Sequence, residues 1–172
     1  MQILVTGGTG YIGSTLTADL INTNDRIRCL SRNVSALKAK FPDENIEFVE
    51  ADLNDEDSLQ GVFEGVDVAY YLVHSLSGND GFRSQELLCA ANFSRAAFNS
   101  GVKKIIYLGG LGASNSGTSR HLQSRSEVGE ILRNSGVPCL EFQASIVIGP
   151  GGLSYEIMKN LVIRLPIKIT PK

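Results

Sequence analysis

Ile3-Leu4-Val5-Thr6-Gly7-Gly8-Thr9-Gly10-Tyr11-Ile12-Gly13 decides how the rest of the chain is read. Three apolar residues run into glycines at 7, 10 and 13, and an amphipathic stretch follows at once. The pattern predicts a strand, a tight turn and a helix start, the opening βα unit of a dinucleotide-binding domain. Gly7 permits the turn, Gly10 removes a Cβ from the path of a pyrophosphate, and Gly13 lets the helix lie close to the sheet. The free N–H groups and positive dipole end of that helix then face a diphosphate, with Thr9, Tyr11 and Ile12 beside it. A glycine-rich turn with no ligand has the same composition. The strand before it, the helix after it and the βα alternation downstream favour the nucleotide.

Composition narrows the class. A chain of 172 residues with 42% hydrophobic and 20% charged residues can bury a real core in one domain. The net charge of −2 gives no reason to expect nucleic acid or an anionic membrane as a partner. No apolar run is long enough to span a bilayer, and the first residues lack the charged and apolar regions of a signal peptide. Cys29, Cys89 and Cys139 are widely spaced, each in an apolar or helical context. They read as buried free thiols of a cytoplasmic protein, and no ligand spacing supports a metal site.

Strands are expected at 2–6, 27–30, 46–49, 66–73, 104–108 and 139–144. A helix over 11–22 sets Ile12, Leu16 and Leu20 on one face. Further helices are expected at 34–40, from near Asp55 to Gly65, and over 83–99, 121–134 and 153–165. The inner face of the 83–99 helix carries Leu87, Ala91 and Phe98, and Tyr70 and Tyr71 read as strand residues packed against helices. Strands alternating with helices through short connections give a doubly wound parallel α/β sheet of the Rossmann type, with helices on both faces. Residues 1–165 form one domain, and 166–172 read as the start of a substrate-side extension.

In such a sheet ligands bind beyond the carboxyl ends of the strands, where the strand order reverses. That rim gathers the 7–13 turn, Ser31-Arg32, Asp52-Leu53 and residues 73–77 and 109–112. An NAD-selective site holds an Asp or Glu about 20 residues past the glycine turn. Ser31 and Arg32 stand there instead. A hydroxyl and a guanidinium accept a 2′-phosphate that a carboxylate would repel, which favours NADP(H) over NAD(H). Asp52 either accepts from the adenine amino group, with the Leu53 N–H facing a ring nitrogen, or simply opens the helix that follows.

These residues resemble the extended and atypical short-chain dehydrogenase/reductase superfamily, in particular its NmrA-like, epimerase/dehydratase-type bacterial branch. The resemblance rests on the 6–13 turn, Asp52-Leu53, Tyr70-Tyr71-Leu72-Val73-His74-Ser75, Tyr107-Leu108-Gly109-Gly110-Leu111-Gly112, His121-Leu122-Gln123-Ser124-Arg125 and Ile148-Gly149-Pro150-Gly151. It implies a nicotinamide coenzyme held by Gly7, Thr9, Gly10, Tyr11, Ile12, Gly13, Ser31, Arg32, Asp52, Leu53, Val73, His74, Gly109 and Arg125. Active members of the superfamily use a serine after the fifth strand and a Tyr-x-x-x-Lys pair on the next helix. Here that helix carries His121 and Arg125 at the same spacing, and the serine position falls on Gly109-Gly110.

The resemblance therefore implies either of two roles. One is an oxidoreductase or epimerase/dehydratase acting on a carbonyl or sugar-like small molecule, with His121 as acid/base and Arg125 on the ribose. The other is a catalytically silent NAD(P) sensor with a regulatory protein partner, in which Arg125 grips only the coenzyme or a carboxylate such as Glu127. Ser114, Ser116 or Ser119 is available as an oxyanion donor, though nothing in the sequence places it. The superfamily continues beyond this point, so the pocket is shallow, lies in an excised portion, or is completed by another subunit of a homo-oligomer.

Overall fold

A computed structural model describes residues 1–42, 45–73, 81–111, 120–145 and 147–164, with the backbone alone at 81, 82, 120 and 121. Several sequence expectations lie outside the described residues: His74, Ser75, the serines at 114, 116 and 119, the side chain of His121, and 166–172.

The chain alternates β1 (Gln2–Thr6), α1 (Tyr11–Leu20), β2 (Arg26–Ser31), α2 (Val34–Lys40) and β3 (Ile46–Glu50). It returns through a short 3-10 turn (Asp57–Leu59) to β4 (Val68–Tyr71), α3 (Gly81–Asn99) and β5 (Lys104–Gly110). It ends with α4 (Arg120–Arg133), β6 (Cys139–Ala144) and α5 (Leu153–Arg164). All six strands pair in parallel in the order β3-β2-β1-β4-β5-β6, the doubly wound Rossmann arrangement.

Period-two alternation sends neighbouring residues of β1 to different cores. Ile3 and Val5 pack with Ile27, Cys29 and Leu37 on the α1–α2 side. Leu4 joins Ala69, Tyr71, Phe93, Ile105 and Leu132 on the α3–α4 side. Burial on both faces explains why the central strands read as continuous apolar runs. Tyr71 is packed as expected, edge-on to Phe93 with ring centroids 5.0 Å apart. The edge strand β6 differs: Leu140 and Phe142 are exposed on the face away from Tyr107 and α4.

Three expectations need correction. The helix expected from Asp55 to Gly65 is only the Asp57–Leu59 turn followed by further turns. Short polar side chains claim the backbone there. Asp52 Oδ1 accepts the Asn54 N–H (2.9 Å), and Asp55 Oδ1 accepts the Asp57 N–H (3.1 Å). Ser58 Oγ accepts the Asp52 N–H (3.0 Å) and donates to the Asp55 carbonyl (2.7 Å). Such local bonds compete with helix formation. The strand expected over 66–73 pairs only from Val68 to Tyr71, because the ladder gives way at Leu72 to a side chain of β1. Phe98 is not on the inner face of α3. It is 57% exposed, while Cys89, Ala90, Phe93 and Ala97 face the core. Its ring lies instead against Gly136, where a Cβ would stand 2.8 Å from two ring carbons.

The side chain that replaces the ladder is Thr6, fully buried at the point where β1 and β4 diverge. Its hydroxyl donates to the Tyr70 carbonyl (2.9 Å) and accepts the Leu72 N–H (3.1 Å). Thr6→Val keeps the shape and leaves both backbone groups without that partner. We expect it to lower the unfolding free energy by about 1–3 kcal/mol, measured by urea denaturation. A change within a few tenths would show that the bridge carries no net stability.

Candidate functional site

The β1–α1 turn is built from backbone contacts that leave no room for side chains. Gly7 has φ +71°, and a Cβ there would meet the Leu72 carbonyl oxygen at 2.8 Å. The Gly10 N–H donates back to the Gly7 carbonyl at 2.9 Å. A Cβ on Gly13 would stand 2.3 Å from the Gly7 oxygen. Gly13 therefore brings the helix against the turn itself, a closer constraint than the sheet contact expected from sequence. Gly8 is equally confined, since its Cβ would be 3.1 Å from Leu37 Cδ2 of α2. Thr9 and Gly10 are exposed on top. α1 starts after Gly10 with no capping side chain and no acid in its first turn. Its first N–H groups thus remain available to an anion.

At the end of β2, the Ser31 hydroxyl bonds the chain just ahead of it, accepting the Asn33 N–H at 3.1 Å. Asn33 Oδ1 in turn caps α2 by accepting the Ala36 N–H, also at 3.1 Å. Arg32 projects into solvent between them. Lys40, absent from the sequence expectations, reaches across from the end of α2, and its Nζ donates to the Thr9 carbonyl (3.2 Å). Only the packing of Leu37 against Gly8 brings that lysine to the glycine turn, so no spacing rule could have found it. Asp52 is occupied by its own turn, with Oδ1 also accepting from Asn54 Nδ2 (3.1 Å). Neither sequence reading of Asp52 included this. Leu53 is buried in the core, and its carbonyl accepts from Asn92 Nδ2 (2.9 Å).

A shallow cleft lies between the ends of β4 and β5. Its walls are Ile12, Tyr71, Leu72, Val73, Tyr107, Leu108 and Arg125. Arg125 is held by its backbone: its carbonyl accepts the Tyr107 hydroxyl at 3.0 Å. Burial pushes the Tyr107 phenol well above its usual range, so it stays protonated as a tie between β5 and α4. Among the described residues Arg125 Nε is buried without a hydrogen-bond partner, a donor left over on the wall of a cleft. Glu127 does not serve it, because Arg83 of α3 holds that carboxylate with two bonds and keeps its pKa below the usual range. Ser124, next to Arg125, is buried and donates to the buried carboxylate of Glu86 on α3.

The two glycines at the serine position have steric reasons to be glycine. A Cβ on Gly109 would stand 2.4 Å from Glu141 Oε1, a carboxylate of β6 that also binds Arg133. A Cβ on Gly110 would be 2.7 Å from Leu122 Cδ2 and 3.3 Å from Arg125 Cδ. No space remains for a serine side chain at either position as the neighbours stand. The structure thus brings Gly7, Ile12, Gly13, Val73, Gly109 and Arg125 to one rim, with Ser31 at the end of β2 and Arg32 just past it farther along. His121 and Arg125 share α4 one turn apart. Among the described residues no cluster suits a metal ion, and no helix is long and apolar enough to cross a membrane.

The profile of the NmrA-like family matches residues 1–161. A curated relative, sterol demethylase protein B of Methylococcus capsulatus, is 27% identical over 117 residues, covering 66% of this chain and 35% of that protein. The triphenylmethane reductase of Citrobacter, solved with NADP(H), superposes with a TM-score of 0.71 at 26% identity over 85% of this chain and 50% of that one. The WbmH enzyme of Bordetella bronchiseptica, solved with NAD+, gives a TM-score of 0.77 at 20% identity over 94% of this chain and 62% of that one, a likeness of fold. The chain spans about a third of the curated relative and half or more of these solved chains.

Gly13→Ala puts a methyl group into the Gly7 carbonyl. It is expected to cost about 1–3 kcal/mol of stability and to remove nucleotide binding, read by denaturation and by NADPH fluorescence titration. A variant that binds as the parent does would show that the turn has slack.

Proposed function

The chain belongs to the NmrA-like family, and from that premise we propose that it binds NADP(H) in preference to NAD(H) and serves an oxidoreductase or epimerase/dehydratase-type reaction on a carbonyl or sugar-like small molecule. The observation that carries this reading is the α1 amino terminus, uncapped and free of acids above a turn with no room for a Cβ. The orphaned Arg125 Nε on the neighbouring cleft wall fits the same ligand. When bound there, a nicotinamide supplies a carbon that accepts or releases hydride.

The chain's own residues supply the rest. Backbone N–H groups of the first turn of α1 hold the diphosphate. Arg32, exposed just past β2, is the residue proposed to bond a 2′-phosphate, and Lys40 adds a second cation at Thr9. Arg125 presents a guanidinium fork suited to bonding ribose hydroxyls. His121, one turn earlier on α4, is the proposed acid/base, because an imidazole with an ordinary pKa near 6.5 both gives and takes a proton near neutrality. Tyr107 cannot take that role while its hydroxyl is tied to the Arg125 carbonyl.

A specific observation favours a second reading. Glycines stand at 109 and 110, where Glu141, Leu122 and Arg125 crowd the space a side chain would take, so neither position supplies a serine-type oxyanion donor. A protein of this kind binds coenzyme without turnover and presents it to a regulatory partner.

Titration with NADPH and NADH tests the first claim. The wild-type chain is expected to prefer NADPH, and Arg32→Ala to weaken NADPH by about 10- to 100-fold while changing NADH less than threefold. Equal affinities would remove the argument from Arg32. In a screen of aldehydes, ketones, quinones and nucleotide sugars, His121→Ala is expected to lower any turnover by about 10²- to 10⁴-fold. Undiminished turnover would clear His121 of the role, and tight binding with no turnover would select the second reading.

A further inference from the structure

Tyr11 is the first residue of α1 and immediately follows Gly10 of the anion cradle. Its ring rests on the connection between β6 and α5. A Cβ on Gly149 would stand 2.0 Å from Tyr11 Oη and 3.3 Å from Cζ, and one on Gly152 would stand 3.2 Å from Cε1. The two glycines thus form a notch that seats a tyrosine edge. Gly151 lies between them at φ +81°, and the Gly152 N–H closes the turn onto the Gly149 carbonyl at 3.1 Å. Gly152 is buried while its neighbours Gly151 and Leu153 are exposed, and its carbonyl accepts the Glu156 N–H (2.9 Å) in the first turn of α5.

Among the described residues nothing comparable holds the rest of α5. The helix buries none of its described residues, and Leu153, Ile157 and Leu161 are 64%, 51% and 50% exposed. Among the described residues its root is therefore where it meets the body of the domain, at the residue that opens α1. The Tyr11 carbonyl is held separately by Ser14 Oγ (3.1 Å) and Thr15 Oγ1 (2.9 Å), so the helix start does not depend on the ring.

We infer that Tyr11 is a positioning residue that couples the anion cradle to α5. This rests on the coenzyme reading given above. A diphosphate on the first-turn N–H groups stiffens Tyr11, which otherwise opens a helix with no side-chain cap. A fixed ring fixes the 149–152 turn, and the turn fixes the root of α5. By reciprocity, whatever packs on the open apolar residues of α5 tightens coenzyme binding by the same factor. The ring thus ties the order of the helix beyond β6 to the presence of coenzyme.

Limited trypsinolysis tests this, following cleavage after Lys159 and Arg164 without coenzyme and at an NADPH concentration shown by fluorescence to saturate each variant. In the wild type NADPH is expected to slow cleavage at Lys159 by about tenfold. Gly149→Ala, which drives a methyl group into the phenol, is expected to lose that protection. Adding Tyr11→Phe to it removes the clashing oxygen and is expected to restore protection, a rescue that general loosening would not give. Tyr11→Ala, which leaves the helix start in place, is expected to abolish protection even if Gly149→Ala does not fold. Saturation without protection in the wild type, protection that survives Tyr11→Ala, or failure of Tyr11→Phe to rescue a folded Gly149→Ala chain overturns the coupling and leaves the coenzyme reading intact. No binding of either coenzyme by the wild type overturns both.

Discussion

The carboxyl edge of this sheet is organised by a contact that involves no side chain at all. The backbone of Gly13 presses on the carbonyl of Gly7, so close that a Cβ would stand 2.3 Å from the oxygen. That contact sets where α1 begins and how its axis leaves β1. The same Gly7 stands against the Leu72 carbonyl of β4, and one residue earlier Thr6 ties the two strands together. Turn, helix start and strand divergence are therefore one assembly. Its glycines trade backbone entropy for proximity, which makes sense only where something must come close.

What comes close is set by charge. An uncapped helix start offers partial positive charge and free donors, an arrangement that stabilises an anion by about 0.3–1 kcal/mol at exposed sites and more when partly buried. Side chains at the edges extend that preference, with Arg32 and Lys40 on one side and Arg125 on the other. Two acids on the Arg125 side are paired elsewhere, Glu127 with Arg83 and Glu141 with Arg133. Neither of these carboxylates neutralises Arg125, which suits a rim that receives a polyanionic ligand.

Much of this was legible in the residues. The βα alternation, the parallel sheet and the glycine turn depend on periodicity and on backbone freedom, both local properties of sequence. Local reading failed where short-range side-chain bonds competed with the helix, as Asp52, Asp55 and Ser58 do. It failed again at Phe98, because α3 has apolar residues on more than one face and only packing chooses between them. The site shows the same division. Gly7 and Gly13 could be found from spacing. The reach of Lys40 across α2, the tie from Tyr107 to the Arg125 carbonyl, the Glu141 carboxylate above Gly109 and the seat of Tyr11 on Gly149 each join residues distant in sequence. No pattern along the chain announces them.

The central claim is that the edge defined by Gly7 and Gly13 is a diphosphate site leading to the cleft beside Arg125. A crystal structure of the chain soaked with NADP+ measures this most directly. The account predicts phosphate oxygens within hydrogen-bond distance of the first N–H groups of α1, the adenosine beside Arg32, and ribose hydroxyls at Arg125. Clear density for the coenzyme elsewhere, or an edge that stays empty under saturating soak, would contradict it.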